Sequence, residues 1–213
     1  MIRRLPVLAT LIVIAAVATM IGLGVWQLSR HAEKTAVLAE LRANPAKPSV
    51  SFPRFGPVDT ALLFRPSSLH CLRVVGWREE AGHAADGSTG YRAIADCATG
   101  AEGPGALVAV GVAARPGVKP AWTGGQVEGW ISDEPDHRSL LSRMTGKAMP
   151  LRPMLIARTP SPDLKPAAPP SPDDVPNNHL AYAVQWFFFA AVALVIYALA
   201  LRKRWREEDA REG

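Results

Sequence analysis

The sequence predicts a membrane protein of the α+β class, with two transmembrane helices flanking a small β-rich, barrel-like extracytoplasmic domain. Three observations predict it. Two runs without formal charge, 25 residues from Leu5 to Ser29 and 22 from Leu180 to Leu201, stand near the ends of a 213-residue chain. Between them lie short β-branched or alternating runs cut by Gly and Pro. The chain is 48% hydrophobic yet 20% charged, with 19 prolines, so its mean hydropathy of +0.07 averages two apolar blocks with a polar middle. With only two cysteines as well, these figures exclude a large multidomain enzyme, a disulfide-rich scaffold and a wholly disordered chain.

At about 1.5 Å per residue, each run covers a hydrocarbon core of about 30 Å. Arg3 and Arg4 precede the first run, and Arg202, Lys203, Arg204 and Arg206 follow the second. Clustered Lys and Arg beside a span are retained in the cytoplasm. The expected order is therefore a cytoplasmic N-terminus (1–4), span one (5–29), an external portion, span two (179–201) and a cytoplasmic tail (202–213). Arg30 and Lys34 oppose this orientation weakly. Without an Arg- and Ser-rich transit segment ahead of Leu5, the expected location is a bacterial cytoplasmic (inner) membrane, with the central domain in the periplasm. The alternative is a cleaved signal peptide, with MIRR as its charged region, LPVLATLIVI as its apolar region and Ala16-Val17-Ala18 as its cleavage site. Cleavage would leave a chain opening on the apolar TMIGLGVWQL, so an uncleaved anchor accounts for more residues.

Beyond the first span, residues 30–43 keep helical composition until Asn44-Pro45 stops them. A β-rich domain is expected over 44–158, with strands near 69–77 (LHCLRVVGW), 91–97 (YRAIADC), 106–114 (ALVAVGVAA), 126–131 (QVEGWI) and 153–157 (PMLIA). Asp136 to Met144 reads as one short helix, because Leu140, Leu141 and Met144 share a face. Residues 159–178, TPSPDLKPAAPPSPDDVPNN, read as a semi-rigid polyproline tether to the second span. A docking strip for a Pro-recognising partner is the competing reading.

The search for catalytic motifs finds no nucleophile elbow, Walker loop or zincin helix, and the expectation is a protein that is not an enzyme. Cys71 and Cys97 form neither CxxC nor CxxCH. They either pair as a disulfide in an oxidising compartment or remain two buried thiols. His70, His83 and His137 occur singly and read as surface or structural, and His31 reads as solvated at the membrane interface. The charge of +5 divides into +2 before the first run, +2 between the runs and +1 after the second. It is a topology signal, and no nucleic-acid partner is expected.

His179 stands apart, at the outer mouth of the second span in VPNNHLAYAVQWFFF. At about 100° per residue it shares a helical stripe with Tyr182, Ala183, Trp186, Ala190, Ala193 and Tyr197. A neutral imidazole beside aromatic rings and small gaps suits axial ligation of a haem iron. The competing reading is the ordinary enrichment of Tyr, Trp and His at headgroup level.

Two separated motifs now coincide. GLGVWQLSRHAEK at 22–34 and PNNHLAYAVQWF at 176–187 resemble the two signature ends of the Surfeit locus family of cytochrome c oxidase assembly proteins. The first pattern falls on Gly24, Trp26, Gln27, Arg30 and Lys34; the second falls on Asn177, Asn178, His179, Tyr182 and Trp186. LRVVGW at 72–77 and VEGWI at 127–131 also look like family strands. Where such proteins usually carry an Arg-Gly-Trp segment, this chain has VAVGVAARPG at 108–117.

The resemblance implies an assembly factor for haem-copper cytochrome c oxidase, assisting delivery of haem a to subunit I or its stabilisation there. His179 is the candidate axial ligand to the haem iron, and Tyr182, Trp186, Trp26 and Arg30 are candidate contacts to the cofactor. Trp26 and Arg30 lie one helical turn apart, so the guanidinium is placed to stack on the indole and meet a haem propionate. Interfacial anchoring is the simpler role for Trp26. The implied partners are oxidase subunit I, haem a synthase and membrane lipid. The alternative function is a non-haem membrane scaffold that stabilises an oxidase assembly intermediate.

Overall fold

The structure is a computed structural model, describing residues 6–100, 103, 105–146, 148–174 and 177–212. The expected cytoplasmic residues 1–4, with Arg3 and Arg4, lie outside the described residues. The chain divides into two compact units, one formed by its two ends and one by residues 37–175.

In the first unit, α1 (Val7–Ala43) and α3 (His179–Glu212) supply the two helices. Both are long and apolar enough to cross a membrane. No proline interrupts either helix, and most of their large apolar side chains are exposed on the outer faces, as lipid-facing residues would be. Helix α3 continues three turns past Leu201, where Arg204 reaches Glu208 at 2.9 Å, one turn on. The expected tail is therefore helical through Glu212.

The second unit begins with the last two turns of α1, whose Leu38 and Leu41 are buried. A 3₁₀ turn at Asn44–Ala46 ends the helix where Asn44-Pro45 was expected to stop it. Asn44 is fully buried, and its amide donates to the carbonyls of Thr60 (3.1 Å) and Leu63 (2.8 Å).

Among the described residues seven strands follow: β1 (Val50–Ser51), β2 (Pro66–Cys71), β3 (Arg73–His83), β4 (Thr89–Ala98), β5 (Ala106–Ala113), β6 (Gly125–Asp133) and β7 (Pro153–Ala157). They form one mixed sheet in the order β1-β2-β6-β7-β5-β4-β3. Central β5 and β7 pair in parallel and are buried along their whole length. That explains why ALVAVGVA and PMLIA lack polar alternation, since both faces of these strands are covered. The two clusters of buried side chains on either face share β4, β5 and β7.

The expected strand at 69–77 is two strands, and the ladder expected to be barrel-like is not closed among the described residues. It has two ends, β1 and β3. The run divides at Leu72, where the chain leaves its antiparallel pairing with β6 and takes up pairing with β4. Across this bend Leu72 N–H donates to Ala98 C=O (2.9 Å), and Cys71 bonds to Cys97 with Cα atoms 5.3 Å apart. The cysteines therefore pair, joining β2 to β4 where no ladder does.

The short helix α2 (Leu140–Met144) is shorter than the expected 136–144. Ser139 caps it, accepting from Ser142 N–H at 3.2 Å. Asp136 instead binds Arg138 (2.8 Å), and these hydrogen bonds hold its carboxyl well below the usual carboxylate range.

Residues 160–168, expected within a semi-rigid tether, pack against the sheet. Ser161 N–H donates to Val110 C=O (2.8 Å), and Val112 and Lys165 exchange backbone hydrogen bonds (2.9 and 3.0 Å). Leu164 and Ala167 are buried. Gly111 permits the crossing: a Cβ there would stand 2.8 Å from Leu164 Cβ and from Lys165 O, and its φ is +138°. This is the place in the fold of the unusual VAVGVAARPG segment. Lys165 also reaches Asp86 (2.9 Å); hydrogen bonds from Ser88 and then Lys165 hold the Asp86 carboxyl below its ordinary range.

Candidate functional site

The antiparallel pairing of α1 and α3 rests on small residues. Gly24, Ala183 and Ala190 are buried between the helices. A Cβ on Gly24 would stand 2.6 Å from the Phe187 ring, so glycine admits this ring against α1. Near the chain termini Thr10 and Tyr197 hydroxyls meet at 2.5 Å. At the opposite end, His179 Nδ1 lies 2.7 Å from Gln27 Oε1, His31 Nδ1 lies 3.4 Å from Asn177 Oδ1, and Asn177 Nδ2 donates to Thr35 Oγ1 at 3.4 Å.

The α3 stripe read from the sequence is therefore largely the seam of the helix pair. Ala183 and Ala190, expected as gaps beneath a macrocycle, are covered by α1. His179 and Trp186 are half-buried, Tyr182 is exposed, and Trp186 meets Phe189 edge to face at 6.2 Å between ring centres. Trp26 is exposed, and Arg30 turns forward to Glu33 (2.5 Å), away from the Trp26 stack that was expected.

Gln27 lies in the quoted Trp-Gln motif but carried no role in the sequence reading. Its place one turn before His31, on the face of α1 that meets α3, identifies it only once the helices are paired. Because an amide oxygen accepts, the geometry assigns Nδ1–H of His179 as donor to Gln27 Oε1. In a neutral imidazole this makes Nε2 the lone-pair nitrogen. An imidazole oriented through Nδ1 by a carbonyl oxygen is the usual arrangement of a metal-ligating histidine.

His31, read as interfacial, is drawn into the seam by Asn177. His70, His83 and His137 are exposed, as expected, and His137 pairs with Glu80. Among the described residues no group of three or more His, Cys, Asp or Glu is placed to hold a metal ion. In the sheet unit, Arg78 binds Asp96 (3.1 Å) and Glu134 (3.3 Å), and Arg152 binds Asp96 (2.9 Å). These charges satisfy one another across β3, β4 and the ends of β6 and β7.

No curated protein matches the chain. The model of the SURF1 family matches residues 14–191, from inside α1 across the whole sheet unit to the middle of α3, and the chain belongs to that family.

Proposed function

We propose that this protein is an assembly factor for haem-copper cytochrome c oxidase that holds haem a through His179 and assists its placement in subunit I. The SURF1 family is an assembly-factor family associated with cytochrome oxidase, and the finer assignment rests on one observation, the 2.7 Å contact of His179 Nδ1 with Gln27 Oε1. With Gln27 Oε1 as the acceptor, that contact supports a tautomer in which Nε2 carries the lone pair for a ligand bond. The donor set fits haem and not a bare metal ion, since one imidazole completes an axial position whereas a metal cage needs three or more ligands. If bound, haem a would be held by His179 and would supply a Lewis-acidic iron and a broad apolar ring.

The chain's own residues then do the holding. His179 donates Nε2, Gln27 keeps the imidazole from turning, and exposed Tyr182 with half-buried Trp186 offers aromatic faces next to it. Arg30 and Trp26 extend the surface on α1, with Arg30 able to exchange Glu33 for a propionate. A single ligand at a half-exposed position suits a cofactor that is to be passed on. Both helices cross a bacterial inner membrane in this reading, with the termini cytoplasmic and the sheet unit periplasmic, and haem a synthase is the partner on the donor side.

The test is purification from cells that do or do not make haem a. A Soret band present only in the first case, and lost in His179→Ala, supports the assignment. A colourless wild-type protein whose deletion still lowers the haem content of the oxidase overturns it in favour of a non-haem scaffold.

A further inference from the structure

The excursion between β6 and β7 carries an apolar face that the protein leaves uncovered. Leu140, Leu141, Met144 and Met149 are 71%, 72%, 84% and 80% exposed. Its described residues are nonetheless held by several hydrogen bonds. Ser139 caps α2, Thr145 N–H donates to Leu141 C=O (3.0 Å), Ala148 N–H donates to Ser142 C=O (3.1 Å), and the Arg138 guanidinium donates to Met149 C=O (3.0 Å). Four large apolar side chains thus stand on a stretch partly held by hydrogen bonds, which lowers the ordering cost of covering them.

We propose that this excursion docks into the surface of an anionic bilayer. The inference rests on the membrane-spanning reading of α1 and α3, because a domain tied at both ends to spans meets the lipid surface at high effective concentration. Charge favours the same occupant. Asp136 is engaged by Arg138 at 2.8 Å, whereas Arg143 stands 3.7 Å from it and is half-exposed. Exposed Leu and Met beside surplus basic charge is the composition of an interfacial anchor, where apolar groups enter the acyl boundary and cations meet phosphate.

The test uses the full chain in lipid nanodiscs, with Met144→Cys carrying an environment-sensitive fluorophore. Cys71 and Cys97 are joined and buried, so the introduced thiol takes the label. The expected result is blue-shifted emission quenched by spin-labelled lipid in phosphatidylglycerol discs, weaker in phosphatidylcholine discs, and lost when Leu140→Asp and Leu141→Asp are added. Emission typical of water in both discs overturns the proposal. So does a label shielded only when solubilised oxidase is added, which would assign the face to a protein partner. A chain that does not enter the discs at all overturns the spanning reading instead, and that result is distinct from a chain retained with an exposed label.

Discussion

His179 and Gln27 face each other across the helix pair, Nδ1 to Oε1 at 2.7 Å. Gln27→Leu keeps an apolar side chain of similar reach but removes the acceptor. If the imidazole ligates haem, the loss of its orienting partner lowers haem affinity about 10- to 100-fold. Titration of the purified protein with haem, followed at the Soret band, measures it. Affinity unchanged from wild type would reduce the contact to helix packing.

Gly24 sets how closely the helices approach. A Cβ added there would stand 2.6 Å from the far edge of the Phe187 ring, which can swing aside for a single methyl but not for a branched side chain. Gly24→Leu is expected to destabilise the helix pair by about 1–3 kcal/mol, read as a lower thermal midpoint of the detergent-solubilised chain. Phe187→Ala in the same chain should restore part of the loss, since it removes the clashing ring.

The two long apolar helices were legible because uncharged runs of 25 and 22 residues are each long enough to cross a hydrocarbon core, and the central strands because Val, Leu and Ile cluster between turn residues. Other features carry no local signal. The partner change at Leu72 occurs inside an unbroken strand-like run, LHCLRVVGW, and only the tertiary positions of β4 and β6 reveal it. The packing of Leu164 was hidden by the seven prolines of residues 159–178, which read as a tether although Gly111 makes room for the crossing. The candidate ligand His179 was visible from its motif, but the role of its stripe was not. Periodicity places Ala183 and Ala190 on one face without saying that α1 already covers it.

The Cys71–Cys97 bond closes a loop with a sequence separation of 26. Loop-closure entropy for this length corresponds to about 3 kcal/mol. Replacing both cysteines with serine should therefore weaken the sheet unit by about that amount, with β2 and β4 loosening first because no ladder joins them. Amide hydrogen exchange of β2 and β4 peptides, resolved by mass spectrometry across a urea series, would show it. Equal loss of protection throughout the sheet would contradict a local staple.

Asn44 ends α1 and ties it to the loop before β2 through the carbonyls of Thr60 and Leu63. Asn44→Ala leaves both carbonyls short of a donor in a fully buried position, costing about 1–3 kcal/mol. Asn44→Asp should be at least as damaging, because a carboxylate cannot donate to either oxygen. Urea midpoints of the three proteins give the order wild type above Asn44→Ala, with Asn44→Asp equal to or below the latter.

Asp133, at the end of β6, has its carboxyl pushed above the ordinary value of 3.8, chiefly by burial. The Val58 N–H, which donates to it at 3.3 Å, and the nearby Arg138 only partly offset that burial, and Glu134 adds to it. A folded pKa above the unfolded one means that the native state binds its proton more tightly. The associated stability is complete below the ordinary value and is lost as pH rises through the raised one. Asp133→Asn retains an oxygen to accept from Val58 and cannot ionise. It should therefore match the wild type in acid and exceed it in stability at neutral pH. Because Asp86 and Asp136, whose carboxyls are shifted downward, are present in both proteins, their opposite pH dependence cancels in the comparison. Thermal midpoints of the two proteins over an acid-to-neutral series test the sign, and a variant less stable than wild type at neutral pH would show that the ionised carboxylate is a net stabilising acceptor.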